Sequence, residues 1–288
     1  MIFNFKSKDL LEEKEFKTEK ELQNFISENC NIFFGIKVIK NEYEITFFDS
    51  ESYQQQNGRI DTLGIDENGA PVIIEYKLDK SNNLINQALY YLDWLRNNKR
   101  QYELEIEANF KDITIDWYSI RVICIAKNFN KYDYNAIRQI DANVELYKYK
   151  KYDEILELVE VYKKQNQTNS TNETSKKENS KNSKSELEKS PKELQTIFEK
   201  IMIKYIDYYG EDITINYLKD YIAFKTSKNI LTIVPQRNSL KIYTNDIKEG
   251  KRKEIEDVSN KGHWGTGNYC FYVKNEKDYK KLLEIVRW

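Results

Sequence analysis

The sequence predicts an α/β domain over residues 1–163, with a mixed sheet flanked by helices. A disordered linker over 164–190 joins it to a small α+β domain over 191–288. Three observations carry this reading. Segments of helical and strand periodicity alternate through the first half, the order of an α/β layered domain. The stretch from Lys163 to Pro191, KKQNQTNSTNETSKKENSKNSKSELEKSP, is nearly free of apolar residues and dominated by Asn, Ser, Lys, Thr and Glu, a composition that cannot bury a core. Charge also changes sign across it: residues 1–163 hold 22 Lys and Arg against 29 Asp and Glu, a net of −7, whereas residues 191–288 hold 18 against 14, a net of +4.

Aromatics at 14% and charged residues at 32% supply both a core and a solvated surface. The apolar runs fall far short of a membrane span, and MIFNFKSKDLLEEKEF lacks the apolar block of a signal peptide, so a cytoplasmic location is expected. Cys30, Cys124 and Cys270 are far apart, with no CxxC spacing and no nearby histidines, and read as reduced, mostly buried thiols.

Within the first half, TEKELQNFISENC reads as a helix with Leu22, Phe25, Ile26 and Asn29 on one face, and Thr18 with Glu21 fits a capping box. Two strands are expected near Gly35 to Ile39 and Tyr43 to Phe48. After a hairpin over residues 58–79, SNNLINQALYYLDWLRNN places Leu84, Ile85, Ala88, Leu89, Leu92 and Leu95 at helical spacing behind Ser81 as N-cap. SIRVICIAK, from Ser119 to Lys127, suits a central buried strand. A helix near Tyr132 to Ile140, a strand near Val144 to Tyr149 and a closing helix from Asp153 to Tyr162 complete the domain.

The hairpin, GRIDTLGIDENGAPVIIEYKLD, places charges inside two strand-like runs. Side chains alternate along a strand, so Ile73, Glu75, Lys77 and Asp79 share one face, opposite Val72, Ile74, Tyr76 and Leu78. Mg²⁺ takes one or two carboxylates and fills its remaining positions with water. A hydrolase using it also needs a cation beside the attacking water or phosphate. Asp61, Glu75 and Lys77 form such a set if the turn brings Asp61 onto the face of Glu75. A two-residue Asn68-Gly69 turn pairs Asp61 with Tyr76, on the wrong face. A three-residue turn, Glu67-Asn68-Gly69, pairs it with Glu75 and needs a left-handed Gly69. Local sequence admits both.

The Asp of GRID, IIEYK one hairpin later and NQALYYLDWL on the next helix resemble the PD-(D/E)xK nuclease superfamily, which has the restriction-endonuclease-like fold, and within it the NucS-type branch, over roughly residues 15–150. The resemblance implies that Asp61 and Glu75 bind Mg²⁺ or Mn²⁺, that the carbonyl of Tyr76 adds a ligand, and that Lys77 orients or deprotonates the attacking water. Gln87 matches the family's helix glutamine, with Tyr91 one turn on. Two residues compete for the family's first-helix acid: Glu19, in an E-x-x-L-Q pattern with Leu22 and Gln23, is favoured over Glu21, already a capping partner. Arg59-Ile60 stand where the literal motif has a proline before the aspartate.

Taken singly, a Glu-x-Lys on a strand is usually a solvated face, and Gln87 with Tyr91 is as readily a polar helix edge. Their conjunction with an acid one hairpin earlier favours a site.

In the second half, SPKELQTIFEKIMIKYIDYYG carries Leu194, Ile197, Phe198, Ile201 and Ile206 as a stripe ended by Gly210. Strands follow in DYIAFKTS, NILTIVPQ, SLKIYTN and NYCFYVK, then a helix from Glu276 to Val286. This half resembles an uncharacterised domain found behind such nucleases and sometimes labelled a predicted transport protein. GHWGTG, residues 262–267, precedes a strand and not a helix, which argues against a phosphate loop, and His263 reads as a loop or packing residue. Two functions are expected to compete. The first is a metal-dependent endonuclease acting on nucleic acid, DNA before RNA, in restriction, repair or defence. The second is a non-catalytic nucleic-acid-binding or protein-interaction module on the same scaffold. A homo-oligomer is left open.

Overall fold

The computed structural model describes residues 2–6, 8–49, 54–80, 83–110, 113–163, 183–259 and 267–288, and the chain divides into two compact units, Met1–Asn169 and Ser170–Trp288. Most of the expected linker, 164–182, lies outside the described residues, as do Ser81, His263 and all of GHWGTG but its last glycine.

The first unit opens with a short hairpin, β1 (Phe3–Asn4) and β2 (Asp9–Leu10), then α1 (Glu19–Glu28) and α2 (Cys30–Phe34). Thr18 caps α1 by accepting from the Glu21 amide at 3.1 Å, and the Glu21 carboxylate reaches back to the Lys17 amide at 2.8 Å, one residue beyond the expected box. The buried face of α1 is Leu22, Gln23, Ile26 and Ser27. Phe25, expected inside, is 40% exposed.

The two expected early strands are one long strand, β3 (Ile36–Asp49), bulged between Val38 and Lys40 and carrying Glu42 at φ +53°. It pairs with β4 (Gln54–Asp66), which pairs with β5 (Pro71–Lys80). Then come α3 (Leu84–Asn97), α4 (Lys99–Asn109), β6 (Arg121–Asn128), α5 (Lys131–Gln139), β7 (Asn143–Lys151) and β8 (Leu156–Lys163). The sheet order is β3-β4-β5-β6-β7-β8, parallel from β5 to β7 and antiparallel elsewhere.

Both faces of this mixed sheet are covered. Leu84, Ala88, Leu92 and Leu95 of α3, Tyr102 and Ile106 of α4 and Ile137 of α5 pack with Ile73, Val122 and Cys124. On the other face Leu22, Ile26, Cys30 and Phe34 of α1 and α2 pack with Val72, Ile74, Ile123 and Ile125. A strand covered on both sides reads as a continuous apolar run, which is why RVICIA is buried throughout. Truncating Ile123 to Ala would cost about 2–5 kcal/mol.

Later in the first unit, strand β8 and helix α4 also differ from the sequence reading. The expected closing helix is strand β8, antiparallel to β7, because β7 would otherwise present an unpaired edge whose amides and carbonyls need partners. Helix α4 has no apolar stripe wide enough to signal it: only Tyr102 and Ile106 are buried.

The second unit contains α6 (Ser183–Glu188), α7 (Lys192–Tyr209), β9 (Thr214–Tyr217), β10 (Ile222–Lys225), β11 (Asn229–Gln236), β12 (Ser239–Thr244), β13 (Glu256–Asp257), β14 (Tyr269–Val273) and α8 (Glu276–Ile285). Its sheet is antiparallel, in the order β13-β14-β12-β11-β10-β9. Leu187 of α6, Leu194, Ile197 and Ile201 of α7 and Leu282 of α8 gather on one face with Ile222, Leu231 and Ile242. Helix α6 falls inside the stretch read as linker; Leu187 is buried and Ser183 Oγ donates to the Leu218 carbonyl at 2.6 Å. On α7, Tyr205 is buried where Ile206 was expected. The three cysteines are buried, and none forms a disulfide among the described residues. Among the described residues no helix is long and apolar enough to cross a membrane.

Candidate active site

The site begins with a turn. The β4–β5 ladder pairs Thr62 with Ile74, Leu63 with Ile73, Gly64 with Val72 and Ile65 with Pro71. Asp66 N donates to the Ala70 carbonyl at 2.9 Å, and Gly69 N to the Asp66 carbonyl at 3.0 Å. This is the register of the three-residue turn, with Gly69 at φ +84°. A Cβ at Gly69 would lie 2.1 Å from the Thr114 carbonyl oxygen, so both conformation and space demand glycine.

Beyond Thr62 and Ile74 the ladder stops and side chains take over. The Asp61 amide donates to Glu75 Oε1 at 3.0 Å, and the Tyr76 amide donates to Asp61 Oδ2 at 3.1 Å. Strand β5 goes on with β6 alone, Glu75 beside Cys124. The two carboxylates therefore sit where the strands part, each holding one amide.

Their electrostatics are costly. Glu75 is 0% exposed, and its Oε2 is buried with no hydrogen-bond partner among the described residues. Burial, then the Asp61 charge, push the Glu75 carboxyl well above the ordinary range, only partly opposed by the Asp61 amide and Lys77. Asp61 is raised too, chiefly by burial and also by Glu19, against the pull of the Tyr76 amide and Lys77. A buried carboxylate oxygen without a donor costs free energy unless protonated or joined by a cation.

Helix α1 closes one side. Lys77 Nζ meets Glu19 Oε1 at 2.8 Å, and both side chains are about one-third exposed, 29% and 39%. Glu21, the alternative helix acid, pairs instead with Lys151 at 3.1 Å. Gln23, which is buried, donates through Nε2 to the Asp61 carbonyl and accepts from Lys20 Nζ at 3.0 Å. Lys20 and Arg59 both pair with Glu42, at 2.9 and 3.1 Å. Behind these, Tyr76 Oη donates to Thr62 Oγ1, Thr62 to Asn41 and Asn41 to Ser27, at 3.2, 2.8 and 3.0 Å, so β5, β4, β3 and α1 are tied in sequence.

The structure thus brings Asp61, Glu75, Lys77 and Glu19 together. Gln87 stands apart: its Nε2 donates to Tyr91 Oη at 3.1 Å, and Tyr91 Oη accepts from the Arg59 amide at 3.4 Å. No hydrogen bond among the described residues joins it to Asp61 or Glu75. Sequence reasoning missed Gln23 and Glu42; the E-x-x-L-Q pattern held Gln23, but nothing local marked Glu42.

Among the described residues no three His, Cys, Asp or Glu side chains gather into a set able to hold a metal ion. The donor set is two carboxylates, and the orphaned Glu75 Oε2 beside Asp61 fits a hard divalent cation completed by water.

No family model matches the chain. A curated protein of Haemophilus influenzae, described as uncharacterized, is 28% identical over 306 residues, covering 99% of this chain and 98% of its own. Two solved structures are similar to part of the chain. One is a repair endonuclease from Pyrococcus abyssi, 21% identical, covering 48% of this chain and 49% of that one with a TM-score of 0.30. The other is the EndoMS–dsDNA2 complex, 18% identical, covering 49% and 48% with a TM-score of 0.32. The matched part spans about half the length of each nuclease chain.

Proposed function

We propose that the first unit is a metal-dependent nuclease of restriction-endonuclease-like fold that hydrolyses phosphodiester bonds, with DNA favoured over RNA as substrate. The observation that carries this is the buried, unpartnered Glu75 Oε2 next to Asp61. A fold with no use for a cation there has no reason to keep two carboxylates whose charges oppose each other in a dry setting. The motif resemblance of GRID, IIEYK and NQALYYLDWL supports the same reading.

Asp61 and Glu75 would hold Mg²⁺ or Mn²⁺, with the Tyr76 carbonyl as a further ligand. Such an ion supplies Lewis-acid polarisation of the phosphoryl oxygen and lowers the pKa of bound water. Lys77 presents its ammonium to the attacking water or the phosphate, and Glu19 holds Lys77 in place from α1. The Asp61 and Tyr76 amides fix the orientation of the two carboxylates. Gln87 is assigned to substrate, reached when Tyr91 releases it. Residues 1–163 carry a net of −7, so phosphate affinity is assigned largely to residues 191–288, net +4, as an accessory domain beyond a linker.

The test is cleavage of single- and double-stranded DNA and RNA with Mg²⁺ or Mn²⁺, by wild type and by Lys77→Ala. Metal-dependent cleavage lost in the variant supports the nuclease. No cleavage of any substrate, with partner binding equal in both proteins, supports the binding module.

A further inference from the structure

At the closed end of the β4–β5 hairpin, Arg121, Asp66 and Glu145 form an ion-pair network whose side chains are at most 2% exposed. Arg121, at the start of β6, is 2% exposed and grips Glu145 of β7 with two bonds, Nε to Oε1 at 2.7 Å and Nη2 to Oε2 at 3.0 Å. Its Nη1 donates to Asp66 Oδ2 at 3.2 Å and to the Phe34 carbonyl at 3.4 Å. The other oxygen of Asp66, Oδ1, accepts from the turn amides of Asn68 at 2.9 Å and Ala70 at 3.0 Å.

Stability alone does not account for this arrangement. Replacing buried ion pairs by apolar residues of similar volume is often neutral or stabilising, and their best-attested use is fixing register. Register is the open question at this hairpin. Asn68-Gly69 suits a two-residue turn as well as the three-residue one, and a slip by one residue exchanges the faces of a whole strand. The apolar pattern resists such a slip weakly here, because β5 is buried on both faces, Val72 and Ile74 on one and Ile73 on the other. Asp66 Oδ1 holds the amides on both sides of Gly69 in the three-residue geometry, and Arg121 holds Asp66.

We propose that Arg121, acting through Asp66, is a positioning residue for the site: it selects the three-residue turn and so places Asp61 opposite Glu75. The proposal rests on the metal-site reading for its functional consequence, but the register can be read without metal.

The experiment uses the full chain and three variants: Asp66→Ala, deletion of Glu67, and the two combined. Deleting Glu67 leaves Asn68-Gly69 as a two-residue turn between Asp66 and Ala70, which keeps the native register without help from Asp66. Cross-strand nuclear Overhauser contacts between Leu63 and Ile73 report the native register, and contacts between Leu63 and Ile74 report the slipped one. Calorimetric titration with Mn²⁺ alone reports the site. Asp66→Ala is expected to shift contacts towards Leu63–Ile74 and to weaken Mn²⁺ binding about tenfold or more, the scale of losing a supporting outer-shell partner. The combined variant is expected to recover both. Native contacts in Asp66→Ala, or a loss that the deletion does not reverse, overturns the proposal, because the network would then act only through general stability. Should Asp66→Ala not fold, the combined variant decides: folding with Leu63–Ile73 contacts once Glu67 is deleted supports the proposal, and failure to fold overturns it. A wild type that binds no Mn²⁺ counts against the metal-site reading alone; the contacts still decide the register.

Discussion

The Asp61 amide donates to Glu75 Oε1 at 3.0 Å, yet the second oxygen of Glu75 is buried without a partner among the described residues. The same pair of residues is thus held together by the backbone of one and driven apart by the charges of both. Burial makes the repulsion stronger than it would be in water.

The first prediction concerns stability against pH in the absence of metal. Glu75 and Asp61 have folded pKa values raised above their unfolded ones, mainly by burial. The folded chain therefore holds protons that the unfolded chain has released, and stability falls as pH rises from the ordinary carboxylate range through the folded values. Each unit of upward shift costs about 1.4 kcal/mol above the folded value. Glu75→Gln should flatten this decline. Urea unfolding with EDTA across that pH range checks it; an equally steep decline in the variant would mean Glu75 is not its source.

The second is metal linkage. A divalent cation must displace those protons, so Mg²⁺ affinity should rise with pH and binding should release protons, seen as a buffer-dependent heat in calorimetry. A cation present at 100 times its Kd should stabilise the fold by about 2.7 kcal/mol. Asp61→Asn should remove most of that stabilisation, and a variant stabilised as much as wild type would place the ion elsewhere.

The third is conformational. Gly69→Ala would meet both a positive φ and the Thr114 carbonyl. The strained backbone alone costs about 1–3 kcal/mol, and the clash adds to it. Thermal unfolding at fixed pH measures the loss, and an unshifted midpoint would mean that the turn does not depend on this geometry.

How much of this was legible in the sequence follows from the range of the interactions. The buried strand RVICIA and helix α3 declare themselves by periodicity, whereas local sequence leaves open whether Asp61 of GRID faces Glu75 of IIEYK. Strand β8 did not declare itself, since LELVEVYK is strand only because β7 offers it an edge. The turn was ambiguous for the same reason: the Asp66–Arg121 pair spans 55 residues. Gln23 and Glu42 likewise act on Asp61 and Arg59, far away in sequence.

The last prediction separates chemistry from scaffold. Lys77 is held by Glu19 at 2.8 Å with much of both side chains in solvent, and exposed pairs of this kind contribute about 0–1 kcal/mol. Lys77→Ala should therefore unfold within that margin of wild type, and its Mn²⁺ affinity should stay within a few-fold, since both carboxylates remain. Cleavage should nevertheless fall by about 10²-fold or more, the scale of losing one charge aimed at the reacting phosphate. Glu19→Gln should give a smaller loss, because it frees Lys77 without removing it. Initial rates on a labelled duplex, measured beside unfolding midpoints for the same preparations, decide the matter. If Lys77→Ala cuts as fast as wild type, the cation beside Glu75 belongs to the scaffold and the nucleophile is positioned by other groups.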